Sequence, residues 1–133
     1  MNITIIDGHG GLLGAQLVKE ISARMGNACI TAIGTNANAT AAMLKAGAKN
    51  AATGENPVIV ACRSADVIIG PIGIVIADSL LGEVTPQMAI AVGQAKATRI
   101  LIPMNKCENL VAGVSGGTGE LIEDVINKLV QLT

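Results

Sequence analysis

A short apolar run, Ile3-Thr4-Ile5-Ile6, leads into Asp7-Gly8-His9-Gly10-Gly11-Leu12-Leu13-Gly14, and a helical pattern follows at Leu13, Leu17, Val18 and Ile21. A strand, a glycine-rich turn and a helix in that order build the phosphate-binding corner of a dinucleotide fold. Each glycine has its own task in that reading. Gly8 takes backbone angles that a Cβ resists. Gly10 and Gly11 let a ligand come close to the backbone, and Gly14 lets the helix pack on its strand. The free amides at the helix start then face an anion. The spacing is not Gly-x-Gly-x-x-Gly, because position 13 is leucine. Gly8, Gly11 and Gly14 instead make Gly-x-x-Gly-x-x-Gly, a spacing that some nucleotide-dependent reductases use. The alternative for such a turn is a tight corner that holds no ligand.

Strand and helix signals alternate along the whole chain. Strands are predicted at Asn2 to Asp7, Cys29 to Ile33, Asn50 to Thr53, Asp66 to Ile69 and Arg99 to Ile102, with a sixth at Leu110 to Val114. Helices are predicted at Gly11 to Met25 and Ala37 to Ala46. Another follows Asn56 as N-cap with Pro57 in first position, and another runs from the Thr85-Pro86 cap to about Ala97. The last helix starts at Thr118 as cap. Leu121, Ile122, Val125, Ile126, Leu129 and Val130 share one of its faces. This alternation implies right-handed crossovers and a mainly parallel sheet with helices on both sides, a three-layer α/β/α Rossmann-like domain spanning 1–133.

Composition narrows the partners. Charged residues make up only 14% of the chain and the formal net charge is −1. So few charges leave much apolar or neutral surface, which argues for a homodimer. Phe, Tyr and Trp are absent, so a base or nicotinamide ring would lie between aliphatic side chains, and stacking of single-stranded nucleic acid is excluded. With no basic run either, nucleic acid is not an expected partner. The apolar run Val67 to Ala77 is too short and broken to cross a membrane. No signal peptide is expected at the N-terminus. Cys29, Cys62 and Cys107 lack metal-ligand spacing, so no metal site is expected and reduced thiols in the cytoplasm are the natural reading.

Ligands of such sheets bind at the carboxyl ends of the strands. The residues expected there are Gly8, His9, Gly10, Gly11 and Gly14 after the first strand, Thr35 and Asn36 after the second, Gly70, Pro71 and Gly73 after the fourth, and Asn105 after the fifth. Asp7 either caps the glycine loop or orients a ribose or water. His9 is a general acid or base, or a plain loop histidine. Glu55, Lys106 and Cys107 complete the set of titratable groups near this edge. An NAD site ordinarily has an acid at the end of the second strand, and an NADP site an arginine; neither stands there. The segment Ile74 to Gly82 is too apolar to lie free. It packs across a dimer partner or forms a flap over the ligand, and the interface is the expected arrangement.

The segments IIDGHGGLLG, GTNANATAAMLKAGA, ATGENPV, ADVIIGPIGIVIADSLLGEVTPQMA and LIPMNKC resemble a small bacterial family, mainly of Firmicutes, of uncharacterised Rossmann-like proteins built on a domain of unknown function. The resemblance implies the fold and no particular activity. The expected function is binding of a nucleotide or dinucleotide, NAD or NADP among them, by a small sensor or accessory protein. The alternatives are a small oxidoreductase-like enzyme completed by a dimer partner, and a scaffold subunit with a vestigial site.

Overall fold

The computed structural model describes residues 1–104, 109–114 and 116–133. Five strands form one parallel sheet: β1 (Asn2–Asp7), β2 (Cys29–Gly34), β3 (Asn50–Thr53), β4 (Val67–Pro71) and β5 (Thr98–Ile102). Five α-helices connect and cover them: α1 (Leu12–Arg24), α2 (Ala37–Lys45), α3 (Glu55–Ser64), α4 (Pro86–Gln94) and α5 (Thr118–Leu132). The strand order is β3-β2-β1-β4-β5. This is the Rossmann-like order, and the chain reverses its direction of winding between β1 and β4.

The sheet is buried on both faces. Ile3 and Ile5 of β1 pack with Leu17 and Ile21 of α1, Met43 of α2 and Leu129 of α5. Ile6 of the same strand faces the other way, with Ile33, Ile68, Val58 of α3 and Val92 of α4. Alternate β1 residues therefore serve opposite cores, as the two-residue period of a strand requires. Full burial of an aliphatic side chain of this size contributes roughly 1.5–3 kcal/mol.

Several element ends differ from the sequence expectation. α3 starts at Glu55, with Gly54 as its cap at φ 106, rather than at Asn56. The Gly54 amide donates to the Gly34 carbonyl, which pins the cap to the end of β2. Pro57 then falls within the first turn, where its missing N–H costs nothing. β4 runs on through Gly70 and Pro71, which pair in register with Leu101 and Ile102. α4 stops at Gln94. Gly117 rather than Thr118 caps α5. Leu110 to Val114 forms no strand, and Leu110 is 99% exposed.

Candidate functional site

The loop after β1 stands beside the point where the winding reverses. β1 pairs with β2 through its whole length, so Asp7 lies opposite Gly34, and the loops after both strands meet. The Thr35 amide donates to the Asp7 carbonyl at 2.9 Å.

Asp7 is 3% exposed and turns its carboxylate back under the glycine loop. Oδ1 accepts the Gly8 amide at 2.8 Å and Oδ2 accepts the Gly14 amide at 2.7 Å. Gly11 is the N-cap residue of α1 and has no side chain to cap with, so Asp7 caps the helix from the end of the strand. Both carboxylate oxygens are thereby committed to the backbone. Burial pushes the Asp7 carboxyl up; the Gly14 and Gly8 amides and His9 pull it down, Glu83 adds to the rise, and burial prevails.

The glycines of the turn are occupied by the protein itself. At Gly11, φ is +74 and a Cβ would lie 2.7 Å from Ala39 Cα, so what comes close there is α2. A Cβ at Gly14 would stand 2.5 Å from Met43 Sδ and 2.9 Å from Asp7 Cβ. Gly14 lets α1 lie against both strand and neighbouring helix. Gly10 alone of the turn's glycines has open space around it.

A residue that the sequence reading passed over completes the corner. Glu83, from the connection between β4 and α4, lays its carboxylate across the loops after β1 and β2. Its Oε1 accepts the His9 amide at 3.0 Å, the Thr35 hydroxyl at 2.5 Å and the Asn36 side-chain amide at 2.9 Å. Asn36 also caps α2 by accepting the Ala39 amide, and its nitrogen donates to the His9 carbonyl. Desolvation pushes the Glu83 carboxyl up. The Thr35 hydroxyl, the His9 amide, Asn36 and the nearby His9 side chain together outweigh it and hold the group below the usual glutamate value. A Cβ on Gly8 would meet Thr35 Oγ1 at 2.5 Å, Glu83 Oε1 at 2.7 Å and Leu80 Cδ1 at 2.8 Å. The corner is thus filled by an anion that belongs to the chain.

The remaining expected residues fall as follows. His9 is exposed, and its backbone rather than its ring meets Glu83. Gly70 and Pro71 lie inside β4 and are buried, and a Cβ on Gly70 would strike the Ile6 carbonyl. Gly73 sits in a short 3-10 turn, Ile72–Val75, and its carbonyl accepts the Ser79 hydroxyl. These glycines serve packing between β1, β4 and the following turn. Glu55 is drawn away to Thr85, whose hydroxyl donates to it at 2.5 Å. Asn105, Lys106 and Cys107 lie outside the described residues. Within the segment expected at a dimer interface, Ile74 and Leu80 turn into the chain's own core, as does Val84 just after it, each no more than 4% exposed, while Leu81 is 98% exposed.

A separate groove of about 570 Å³ runs along α3 and the first three strands, past Thr4, Thr31, Ile33 and Val60. It shares no residue with the corner, and Cys29 is the only titratable group in its lining. Among the described residues no three His, Cys, Asp or Glu are placed to hold a metal ion, and no helix is long and apolar enough to cross a membrane.

The chain belongs to the family described as a domain of unknown function, DUF3842, whose family model matches residues 2–133. No curated protein matches the chain. Among solved structures, it is similar to a dodecameric FMN-dependent Ubix-like decarboxylase from Escherichia coli O157:H7. That similarity has a TM-score of 0.47 at 17% identity, over 96% of this chain and 75% of that one.

Proposed function

We propose that this protein binds a phosphate-bearing nucleotide or dinucleotide at the corner between the loops after β1 and β2, as a small sensor or accessory protein. The observation that carries the reading is the Glu83 carboxylate itself. Three donors from two loops already converge on one anionic oxygen, at the edge where open α/β sheets take their ligands. The amides of Gly10, Leu12 and Leu13 donate no hydrogen bond among the described residues, which leaves donors at the start of α1 for further phosphate oxygens. The rest of the ligand would lie against aliphatic side chains, since the chain has no Phe, Tyr or Trp.

A second reading has support from the same contact. A scaffold subunit with a vestigial site would also keep its corner filled by Glu83. Thermal shift separates the two. ATP, GTP, NAD, NADP, flavin mononucleotide and coenzyme A are each added at millimolar concentration. A ligand of the folded state raises the melting temperature, adding about 2.7 kcal/mol at a hundredfold excess over its Kd. A concentration-dependent rise with one of these supports the binding reading. No rise with any of them, in the wild type or in Glu83→Ala, leaves the scaffold.

The protein works in the cytoplasm as a homodimer in this reading. Sedimentation at micromolar concentration tests the assembly, and a monomer at all concentrations would refute it.

A further inference from the structure

We propose that the turn from Ile76 to Thr85 is a self-inhibitory strap: the Glu83 carboxylate holds the position of the ligand's phosphate and must leave it before the phosphate can enter. The proposal rests on the binding reading above and concerns how that site is controlled.

The contact itself is an exchangeable one. Glu83 is partly exposed, and all three donors converge on Oε1, while Oε2 accepts no bond among the described residues. Oxygens of a phosphate are acceptors for the same three donors. A carboxylate and a phosphate oxygen cannot share that position, because like charges at contact distance repel. Occupation is therefore alternative rather than additive.

The backbone around Glu83 carries strain. Four residues other than glycine have positive φ among the described ones: His9 at 51, Asp78 at 66, Leu80 at 55 and Leu81 at 57. Three lie in the strap, and the fourth is the residue whose amide the strap meets. Leucine in the left-handed region costs about 1–2 kcal/mol. Residues so strained persist only where the surroundings over-determine them. Here the surroundings include a set of bonds internal to the turn. The Asp78 amide donates to the Val84 carbonyl, the Val84 amide to Ser79, the Gly82 amide to Asp78 and the Glu83 amide to Leu80. The turn is closed on itself, so lifting it as a unit breaks only its outward ties: the Ser79 hydroxyl and the Ile76 amide on the Gly73 carbonyl, and the packing of Leu80, which is 4% exposed. Ile74 before it and Val84 at its end stay anchored in the core, each 1% exposed. Leu80 is the side chain that seals the crevice from this unit, over Gly8.

The test compares wild type, Glu83→Ala and Glu83→Gln, each shown to be folded by circular dichroism. Inorganic pyrophosphate and ATP are the probes, read by calorimetric Kd. Both variants should bind at least one probe about tenfold more tightly than wild type, equivalent to about 1.4 kcal/mol. Equal affinity in all three proteins overturns the strap and leaves the binding reading standing. Weaker binding in the variants also overturns it, by making Glu83 a ligand contact. No binding of either probe by any of the three proteins removes the corner as a phosphate site, and the strap with it. Amide hydrogen exchange in the wild type gives a measurement independent of the variants. Saturating probe should speed exchange at the Ile76 amide, whose bond to the Gly73 carbonyl ties the strap to the preceding turn, while the Gly82 and Val84 amides, bonded within the strap, keep their protection. Unchanged exchange at Ile76, with probe bound, overturns the proposal.

Discussion

The inner and outer sides of the glycine-rich turn hold it in opposite ways. On the inner side, Asp7 is buried and gives both oxygens to amides of its own loop and helix, while Gly11 and Gly14 are pressed against α2 and Met43. On the outer side, Glu83 arrives from the connection between β4 and α4, partly exposed, with one oxygen bonded and a left-handed backbone beneath it. The two carboxylates do similar work on neighbouring amides. Their surroundings make one a component of the fold and the other a removable cover.

The difference breaks down if the inner side tolerates change. Gly11→Val is the most severe test. A branched residue there meets strain at φ +74 and the Ala39 backbone at 2.7 Å. A loss of about 4 kcal/mol is expected from strain and overpacking combined, measured by urea denaturation. A loss below about 1 kcal/mol would show that α1 and α2 adjust freely. Asp7→Ala comes next. Two buried amides lose their acceptor, at about 1–3 kcal/mol each, so a drop of about 3 kcal/mol is expected. Glu83→Ala, in contrast, should stay within about 1 kcal/mol of wild type, because water reaches the donors it releases.

The pH dependence of stability sharpens the same contrast, since the two groups shift in opposite directions. The folded-state Asp7 carboxyl is raised above its ordinary 3.8, so its contribution is present below that value and is lost as pH rises through the folded one. The wild type should therefore lose stability relative to Asp7→Asn as pH climbs upward from about 3.8. Glu83 is lowered from 4.5, so its contribution is present above 4.5 and is lost as pH falls through the folded value. Relative to Glu83→Gln, the wild type should gain over the range that ends near 4.5. Denaturation midpoints from pH 3 to 6 read both, and parallel curves for the two pairs would erase the distinction. The smallest effect is expected at Leu81, which is 98% exposed and left-handed. Leu81→Gly relieves about 1–2 kcal/mol of strain and gives back about 0.5–1 in chain entropy, for a net gain of about 0.5 kcal/mol. A net loss would mean that the strap is not strained.

The sequence made the architecture readable because its signals are local. Continuous apolar runs such as Val67 to Ile69, and the Thr85-Pro86 cap, each act within a few residues. The Asp7 cap and the Gly14 contact were readable for the same reason, since the two residues are seven apart, whereas what approaches Gly11 is α2, 28 residues on at Ala39, and not the ligand expected there. Glu83 was not, because it lies 74 residues from His9 and 48 from Thr35. One signal did point to it. It is one of two acids, with Asp78, in a mostly apolar segment that follows the strand at the winding reversal. The left-handed Leu80 and Leu81 had no signal, because leucine does not favour that region and only the folded context imposes it. Gly70-Pro71 misled in the other direction: a pair that reads as a loop extends β4 because its partner on β5 runs on beside it.

A corner that already carries its own anion gives a ligand's phosphate little net affinity. The bonds made to it from His9, Thr35 and Asn36 replace bonds that Glu83 had. On the proposed reading, the phosphate then sets where the ligand lies, while discrimination among ligands falls to their neutral parts. Selectivity should accordingly follow the shape of the base and sugar against the aliphatic walls rather than the number of phosphates in the chain.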